Sequence, residues 1–169
     1  MSIERARAHL ARYGMESAIL ELPVSTATVD LAAQAVGVTT PQIAKTLSYR
    51  VKDSVILVVC AGDTRVDNKK FKARFGTRPR MLRAEEAEPL TGHAVGGVCP
   101  FGVKPGVAIY LDEALRRSDC IYPACGSHNS LIRLTPDELE RCSEAAGWVD
   151  VTIVPEPGGD QPSSSGTNR

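Results

Sequence analysis

The sequence contains no long apolar run. Nothing in it approaches the roughly 20 consecutive apolar residues that a membrane-spanning helix needs. Its opening residues, Met1-Ser-Ile-Glu-Arg5, lead into charges rather than into the apolar segment of a secretion signal. We therefore expect a cytoplasmic protein that does not act at a membrane.

The chain also lacks paired cysteines and metal-ligand spacings. Its five cysteines are an odd number without a C-x-x-C pair, and its three histidines show neither H-x-H nor H-E-x-x-H spacing. These absences argue against a disulfide scaffold and against a zinc site. We expect reduced thiols, no bound metal and no cofactor.

The composition is that of an ordinary globular protein. The 169 residues are 43% hydrophobic and 24% charged, which predicts one domain with a substantial core. The final segment, PEPGGDQPSSSGTNR, offers no apolar side chain to bury. We predict a folded domain over residues 1–154 and a disordered tail over residues 155–169.

The formal net charge of zero hides an uneven distribution. Residues 62–83 carry eight Lys and Arg against two Asp and Glu, whereas residues 84–169 carry six against thirteen. A basic patch of this kind can follow a phosphate backbone, and a solvated helix face is the alternative interpretation.

Hydrophobic periodicity predicts a mixture of helices and strands. Helical spacing occurs over residues 3–13, and capping residues open further helices after Thr28, Asp67 and Thr135. The continuous apolar run over residues 54–60 predicts a central buried strand, preceded by an extended segment that starts at Thr46. Further strands are predicted over residues 17–22, 80–83, 107–111, 120–124, 131–134 and 148–154. The order lacks a strict βαβ alternation, which favours an α+β or mixed α/β domain around one curved mixed β-sheet flanked by helices.

A glycine-rich loop is the most specific segment: Thr91-Gly-His-Ala-Val-Gly-Gly-Val-Cys-Pro-Phe-Gly102. Gly96 and Gly97 allow backbone N–H groups to converge on one point, and Pro100 fixes where the loop leaves. Such a loop can hold an anion or a developing oxyanion, and a tight structural crossover is the alternative. Lys45, where a helical turn enters a strand, is a second candidate, although most lysines are solvated surface charges.

These segments, taken in order, resemble the YbaK family of aminoacyl-tRNA deacylases. That family shares its fold with the editing insertion domain of bacterial prolyl-tRNA synthetases, and the resemblance covers roughly residues 3–154. The segments that carry it are Gln42-Ile-Ala-Lys-Thr-Leu, Cys60-Ala-Gly-Asp63, Asp67-Asn-Lys-Lys, the glycine-rich loop, Tyr110-Leu-Asp112 and Ile121-Tyr-Pro-Ala-Cys-Gly126.

The resemblance implies a free-standing trans-editing hydrolase that cleaves the ester of mischarged aminoacyl-tRNA. It further implies a reaction without metal or covalent nucleophile, assisted by a terminal ribose hydroxyl. The family's lysine falls on Lys45 and its Gly-x-x-x-Pro loop on Gly96, Gly97 and Pro100, which are therefore the expected catalytic residues. The expected partners are mischarged tRNA and an aminoacyl-tRNA synthetase, rather than DNA or a membrane.

Further residues are expected to bind the substrate. The resemblance places Asp112 and the turn at Gly126, with Ser127 and His128, near the aminoacyl end, and the basic patch supplies Lys69, Lys70, Lys72 and Arg74 for the tRNA. The sequence departs from the family where a Gly-Gly-Lys-Arg-Gly-like stretch is replaced by Cys125-Gly-Ser-His-Asn-Ser130. We expect this difference to change which amino acid is removed, with alanine, serine and threonine as candidates.

Two other functions are compatible with the residues. One is a cysteine hydrolase in which Cys99 is the nucleophile and His93 is the base. The other is a noncatalytic module of the same fold that binds tRNA or a synthetase.

Overall fold

The computed structural model describes residues 2–155, which form five α-helices, nine β-strands and three short 3-10 turns. The helices are α1 (Ser2–Ala11), α2 (Val29–Val36), α3 (Asn68–Phe75), α4 (Ala84–Thr91) and α5 (Pro136–Ser143). The strands are β1 (Ile19–Glu21), β2 (Ile43–Val51), β3 (Ser54–Ala61), β4 (Arg65–Val66), β5 (Ala108–Asp112), β6 (Tyr122–Pro123), β7 (Ser130–Ile132), β8 (Gly147–Val149) and β9 (Thr152–Ile153). The 3-10 turns are Glu16–Ala18, Thr40–Gln42 and Glu113–Arg117.

A mixed five-stranded sheet organises the molecule. Its strand order is β6-β2-β3-β5-β8; β2 and β3 form an antiparallel hairpin, and the other neighbouring pairs are parallel. Two-stranded antiparallel pairs, β1 with β7 and β4 with β9, lie outside this sheet. The predicted α+β or mixed α/β fold around one curved sheet is confirmed.

The apolar run in β3 is buried on both faces, as its composition predicts. Leu57 and Val59 join the core formed with α1 and α5, whereas Val58 and Cys60 join a second core that contains Phe71 of α3. Side chains that alternate along a strand point to opposite faces, so β3 and its partner β2 have helices on both sides.

Side-chain caps begin the helices where the sequence predicts them. Thr28, Asp67 and Thr135 each accept a hydrogen bond from the backbone amide three residues later, at the starts of α2, α3 and α5. Satisfying an otherwise unpaired amide in this way typically stabilises a helix by about 1 kcal/mol.

Several strand boundaries differ from the predictions. β2 begins three residues before Thr46, residues 80–83 form a single bridge rather than a strand, and only Ile19–Glu21 of residues 17–22 is extended. The predicted strand over residues 148–154 is split into β8 and β9, because the Val151 amide bonds the Asp112 carboxylate instead of a ladder partner. Apart from Pro155, the predicted tail lies outside the described residues.

Candidate active site

A cleft of about 270 Å³ opens at a gap along one edge of β2. β6 covers the beginning of this edge, and residues 80–82 cover its end through backbone hydrogen bonds to Ser48 and Arg50. Thr46 lies between the two. Because backbone groups of an antiparallel strand alternate in direction, the amide and carbonyl of Thr46 face the same edge as those of Ser48. The cleft therefore borders a short stretch of strand edge that no described residue pairs.

The walls of the cleft are largely apolar. Met81 and Val95 border it and are 57% and 66% exposed, so they form parts of its rim. The buried apolar residues of its lining are Ala32, Ile43, Ala44, Ala87 and Leu131, and half-buried ones include Val29, Val98 and Ala124. Polar groups are contributed by Lys45 and Thr46 of β2 among others. A cleft of this size and lining suits a small apolar group that carries a few polar atoms.

The Lys45 ammonium group is held at the cleft by backbone carbonyls. Lys45 is the third residue of β2, rather than the residue before the strand, and lies opposite Cys60. Its Nζ donates to the Thr64 carbonyl at 2.5 Å and to the Gly62 carbonyl at 3.5 Å. Burial lowers the pKa of this ammonium group below its ordinary value. Within residues 2–155 no carboxylate forms an ion pair with it, so its charge is oriented but not neutralised.

The glycine-rich loop forms the facing side of the cleft. Gly96 has a left-handed backbone with φ of 96°, and Gly96 and Val98 both border the cleft. The Gly97 amide donates to the Ala94 carbonyl at 3.0 Å, whereas no described residue accepts from the amides of Gly96 and Val98. Pro100 is buried behind the loop. The structure thus brings Lys45 and Gly96 to one cleft, whereas Gly97 and Pro100 do not line it.

The Gly126 turn supports this loop from behind. A Cβ atom on Gly97 would lie only 2.6 Å from the Gly126 carbonyl carbon, so the two backbones are in direct contact. Ser127 donates to Ser130 Oγ at 2.7 Å, which holds the turn together. His128 is exposed, and its Cβ lies 3.9 Å from a Cβ built on Gly96. None of Gly126, Ser127 and His128 lines the cleft, so the structure places the predicted substrate-binding turn behind the loop and not at the cleft.

The structure places Asp112, which was predicted to bind substrate, outside the cleft and in a structural hydrogen-bond network. Its side chain is fully buried, and its two carboxylate oxygens accept hydrogen bonds from the amides of Val151 and Ala114 and from the Thr152 hydroxyl. These bonds join the end of β5 to β9 and leave the carboxylate out of reach of a ligand.

The pairing of Cys99 with His93 does not support a cysteine hydrolase. Cys99 Sγ lies 3.5 Å from His93 Nε2, but both side chains are fully buried. Burial raises the pKa of the Cys99 thiol to about 12, which disfavours the nucleophilic thiolate. The imidazole nitrogen is moreover bonded to the Phe101 carbonyl at 2.7 Å.

The basic residues of α3 form a surface separate from the cleft. Lys69 and Lys72 are exposed, whereas Lys70 donates to Asp150 at 3.0 Å and to the Thr152 carbonyl at 2.8 Å. The Arg74 guanidinium lies over the rings of Phe75 and Tyr110. The candidate tRNA-binding residues on this helix are thus not equivalent, and none of them borders the cleft.

Thr46 is a cleft residue that sequence reasoning missed. Its Oγ1 is buried and finds no hydrogen-bond partner within residues 2–155. An unpaired buried hydroxyl typically costs about 1–3 kcal/mol, which makes Thr46 a candidate functional residue of the cleft. The available clue was its position directly after Lys45, in the strand that borders the cleft.

Comparisons with known proteins agree on one family. The model of the aminoacyl-tRNA editing domain matches residues 24–142. The uncharacterized protein YwhH of Bacillus subtilis (strain 168) is 46% identical over 152 residues, which cover 89% of this chain and 97% of YwhH. Proline–tRNA ligase of Shouchella clausii (strain KSM-K16) is 32% identical over 143 residues, or 84% of this chain and 25% of the ligase.

A solved structure shows the same fold. The crystal structure of a candidate trans-editing enzyme for prolyl tRNA synthetase matches with a TM-score of 0.81 and 35% sequence identity, over 90% of this chain and 97% of that one. Among residues 2–155, no helix is long and apolar enough to cross a membrane, and no three His, Cys, Asp or Glu side chains are grouped as a metal ion would require.

Proposed function

This chain belongs to the aminoacyl-tRNA editing domain family, in agreement with its resemblance to the YbaK deacylases, and we propose that it hydrolyses the ester of mischarged aminoacyl-tRNA as a free-standing enzyme. The observation that carries the proposal is the cleft itself. It combines an oriented cation, Lys45, and an open strand edge with the facing glycine loop, around a small apolar space.

Hydrolysis of the ester needs only limited catalytic assistance from the protein, because an aminoacyl ester is already activated towards attack by water. Water adds to the carbonyl carbon, the carbonyl oxygen becomes an oxyanion, and the ribose oxygen leaves with a proton to give the free amino acid and the tRNA hydroxyl. The unpaired amides of Gly96 and Val98 are the proposed oxyanion donors. Removal of one such donor typically costs about 3 kcal/mol of transition-state stabilisation.

The two sides of the cleft suit the two ends of the substrate. The Lys45 ammonium attracts the ribose-phosphate end of the tRNA, and its burial strengthens that attraction relative to water. The apolar inner walls suit a small amino-acid side chain. No exposed thiol or imidazole of the described residues borders the cleft, so proton transfer is left to water and to the neighbouring ribose hydroxyl.

A deacylation panel tests the proposed function. The protein is incubated with tRNA charged with alanine, serine, threonine, cysteine or proline, and the remaining ester is measured against a reaction without protein. We expect multiple turnovers on at least one mischarged tRNA. Tight tRNA binding without hydrolysis of any of these esters would instead support a noncatalytic binding module.

The Thr46 hydroxyl gives a prediction with two opposing readouts. Thr46→Val removes the unpaired hydroxyl while conserving volume, so we expect the free energy of unfolding to rise by about 1 kcal/mol. We expect deacylation to fall severalfold, because Thr46 lines the cleft and none of the described residues occupies its hydroxyl. Denaturant unfolding and initial rates measure the two effects, and Thr46→Ser serves as the hydroxyl-retaining control. A less stable valine variant with full activity would contradict both expectations.

The exposed lysines of α3 predict salt-dependent tRNA binding. The double reversal Lys69→Glu and Lys72→Glu should weaken binding and make the slope of log affinity against log salt shallower by about 2. The matched control reverses Lys104 and Arg133, which are also exposed but lie on other segments. Equal slopes for the wild type and the α3 variant would identify this helix as a solvated face.

A further inference from the structure

The first turn of α1 contacts the glycine-rich loop at both of its ends. This turn lies outside residues 24–142, the part of the chain that the family model matches. Arg5 Nε donates to the Gly102 carbonyl at 2.8 Å. A Cβ atom on Gly102 would lie 2.4 Å from the Arg5 carbonyl oxygen, so here too the two backbones are in direct contact.

A buried histidine connects the same turn to the interior of the loop. His93 is fully buried, and its Nε2 lies 2.7 Å from the Phe101 carbonyl oxygen. Because a carbonyl can only accept, Nε2 carries the hydrogen, and Nδ1 of the neutral ring accepts from the Ser2 hydroxyl at 2.7 Å. The imidazole thus holds a fixed tautomer between α1 and the segment that follows Pro100.

The third contact reaches Gly97 through the Gly126 turn. A Cβ on Gly126 would lie 2.5 Å from the Ser2 carbonyl oxygen, while Gly126 itself contacts Gly97 from the other side. The loop is therefore packed against α1 directly at Gly102, through His93 near Phe101, and through Gly126 at Gly97.

We propose that the first turn of α1 is a positioning element for the proposed oxyanion loop, with Ser2, Arg5 and His93 as positioning residues. The proposal rests on the proposed function. None of the three side chains borders the cleft, so they act on the loop and not on the substrate. Their loss should consequently change the rate of the chemical step more than substrate binding.

Paired variants of α1 test the proposal. Ser2→Ala and Arg5→Met each remove one bond to the loop region, and we expect kcat to fall about tenfold or more with KM within about twofold, since small misplacements of reacting groups can cost up to about 100-fold. Arg7→Ala and Arg12→Ala are matched controls, because these arginines pair with Glu21 and Glu144 rather than with the loop. Their kcat should be unchanged. The proposal would be overturned if kcat of Ser2→Ala and Arg5→Met equalled kcat of the two control variants. It would also be overturned if kcat fell only in proportion to the melting temperature.

Substitutions of His93 supply a rescue experiment. His93→Ala should lower kcat, and His93→Gln should recover part of it because its amide retains a donor near the position of Nε2. Identical kcat for the two variants would contradict the positioning role.

Amide hydrogen exchange separates this proposal from the proposed function. Ser2→Ala and Arg5→Met should accelerate exchange at the Gly97 amide, which is bonded to the Ala94 carbonyl, whereas Arg7→Ala should not, and this readout needs no deacylation activity. A wild type inactive on every ester with loop exchange that still depends on Ser2 and Arg5 would refute the hydrolase and retain the positioning element. Unaltered loop exchange in these variants of an active enzyme would refute the positioning element and retain the hydrolase.

Discussion

Replacing Lys45 by alanine is expected to lower kcat/KM for deacylation by about 100-fold while leaving the protein folded. A hydrogen bond to a charged group contributes about 1.5–3 kcal/mol, and the upper part of that range corresponds to about 100-fold in rate. The upper part applies because the ammonium group is partly buried and oriented by the carbonyls of Thr64 and Gly62. Initial rates on the best ester of the panel measure the loss.

Two further substitutions separate charge from packing. Lys45→Met retains most of the aliphatic stem and should be as inactive as the alanine variant, because the charge is what the substrate uses. Lys52→Ala, in the exposed hairpin turn, changes the net charge equally and should keep full activity. A well-folded Lys45→Met variant with near-wild-type turnover would remove Lys45 from the mechanism.

Gly97→Ala is expected to reduce deacylation by about 100-fold, with a smaller effect on substrate affinity. The new Cβ would lie 2.6 Å from the Gly126 carbonyl carbon and 2.8 Å from the Ser127 nitrogen, and neither backbone atom can rotate away. The loop must therefore move, and displacement of catalytic groups by about 1 Å can cost about 100-fold in rate. Overpacking of this kind also typically costs about 1–3 kcal/mol of stability.

Gly147→Ala is the matched control for this prediction. Gly147 lies in β8 without a left-handed backbone, and a Cβ atom at this position would have no neighbouring atom within 4 Å. Both substitutions add one methyl group, so a difference between them reports the tight contact behind the loop. Full activity of Gly97→Ala with an unchanged melting temperature would show that the loop does not need its present position.

Local features of the fold were predictable because their causes are local. A threonine or aspartate cap accepts a hydrogen bond from an amide only three residues away. The continuous apolar run in β3 by itself indicates that the strand is buried on both faces. Strand ends were less predictable, because they depend on distant partners. The split between β8 and β9 follows from the Asp112 carboxylate, 39 residues away from Val151.

The candidate site likewise contains features that the sequence predicts and features that depend on distant contacts. The glycine loop and Lys45 were each recognisable in the sequence, but only the fold places them at one cleft. The prediction that Asp112 binds substrate came from the family resemblance, whereas an aspartate at the end of a strand can equally cap the next helix, as Asp112 does at Ala114. Thr46 and the role of Ser2 at His93 could not be predicted, because an unpaired hydroxyl and a contact 91 residues apart exist only in three dimensions.

The gap along β2 also bears on whether another chain can add a strand to this edge of the sheet. An unpaired strand edge is a template on which another chain can add a strand, and long exposed edges promote aggregation. Among residues 2–155, β6 and residues 80–82 leave open only the stretch of this edge around Lys45, Thr46 and Leu47, which is about 10 Å of strand. That length admits a small ligand but offers too few backbone hydrogen bonds for a strand of another chain to add to it. The backbone groups of Thr46 can therefore remain accessible to a ligand without making this edge a site of aggregation.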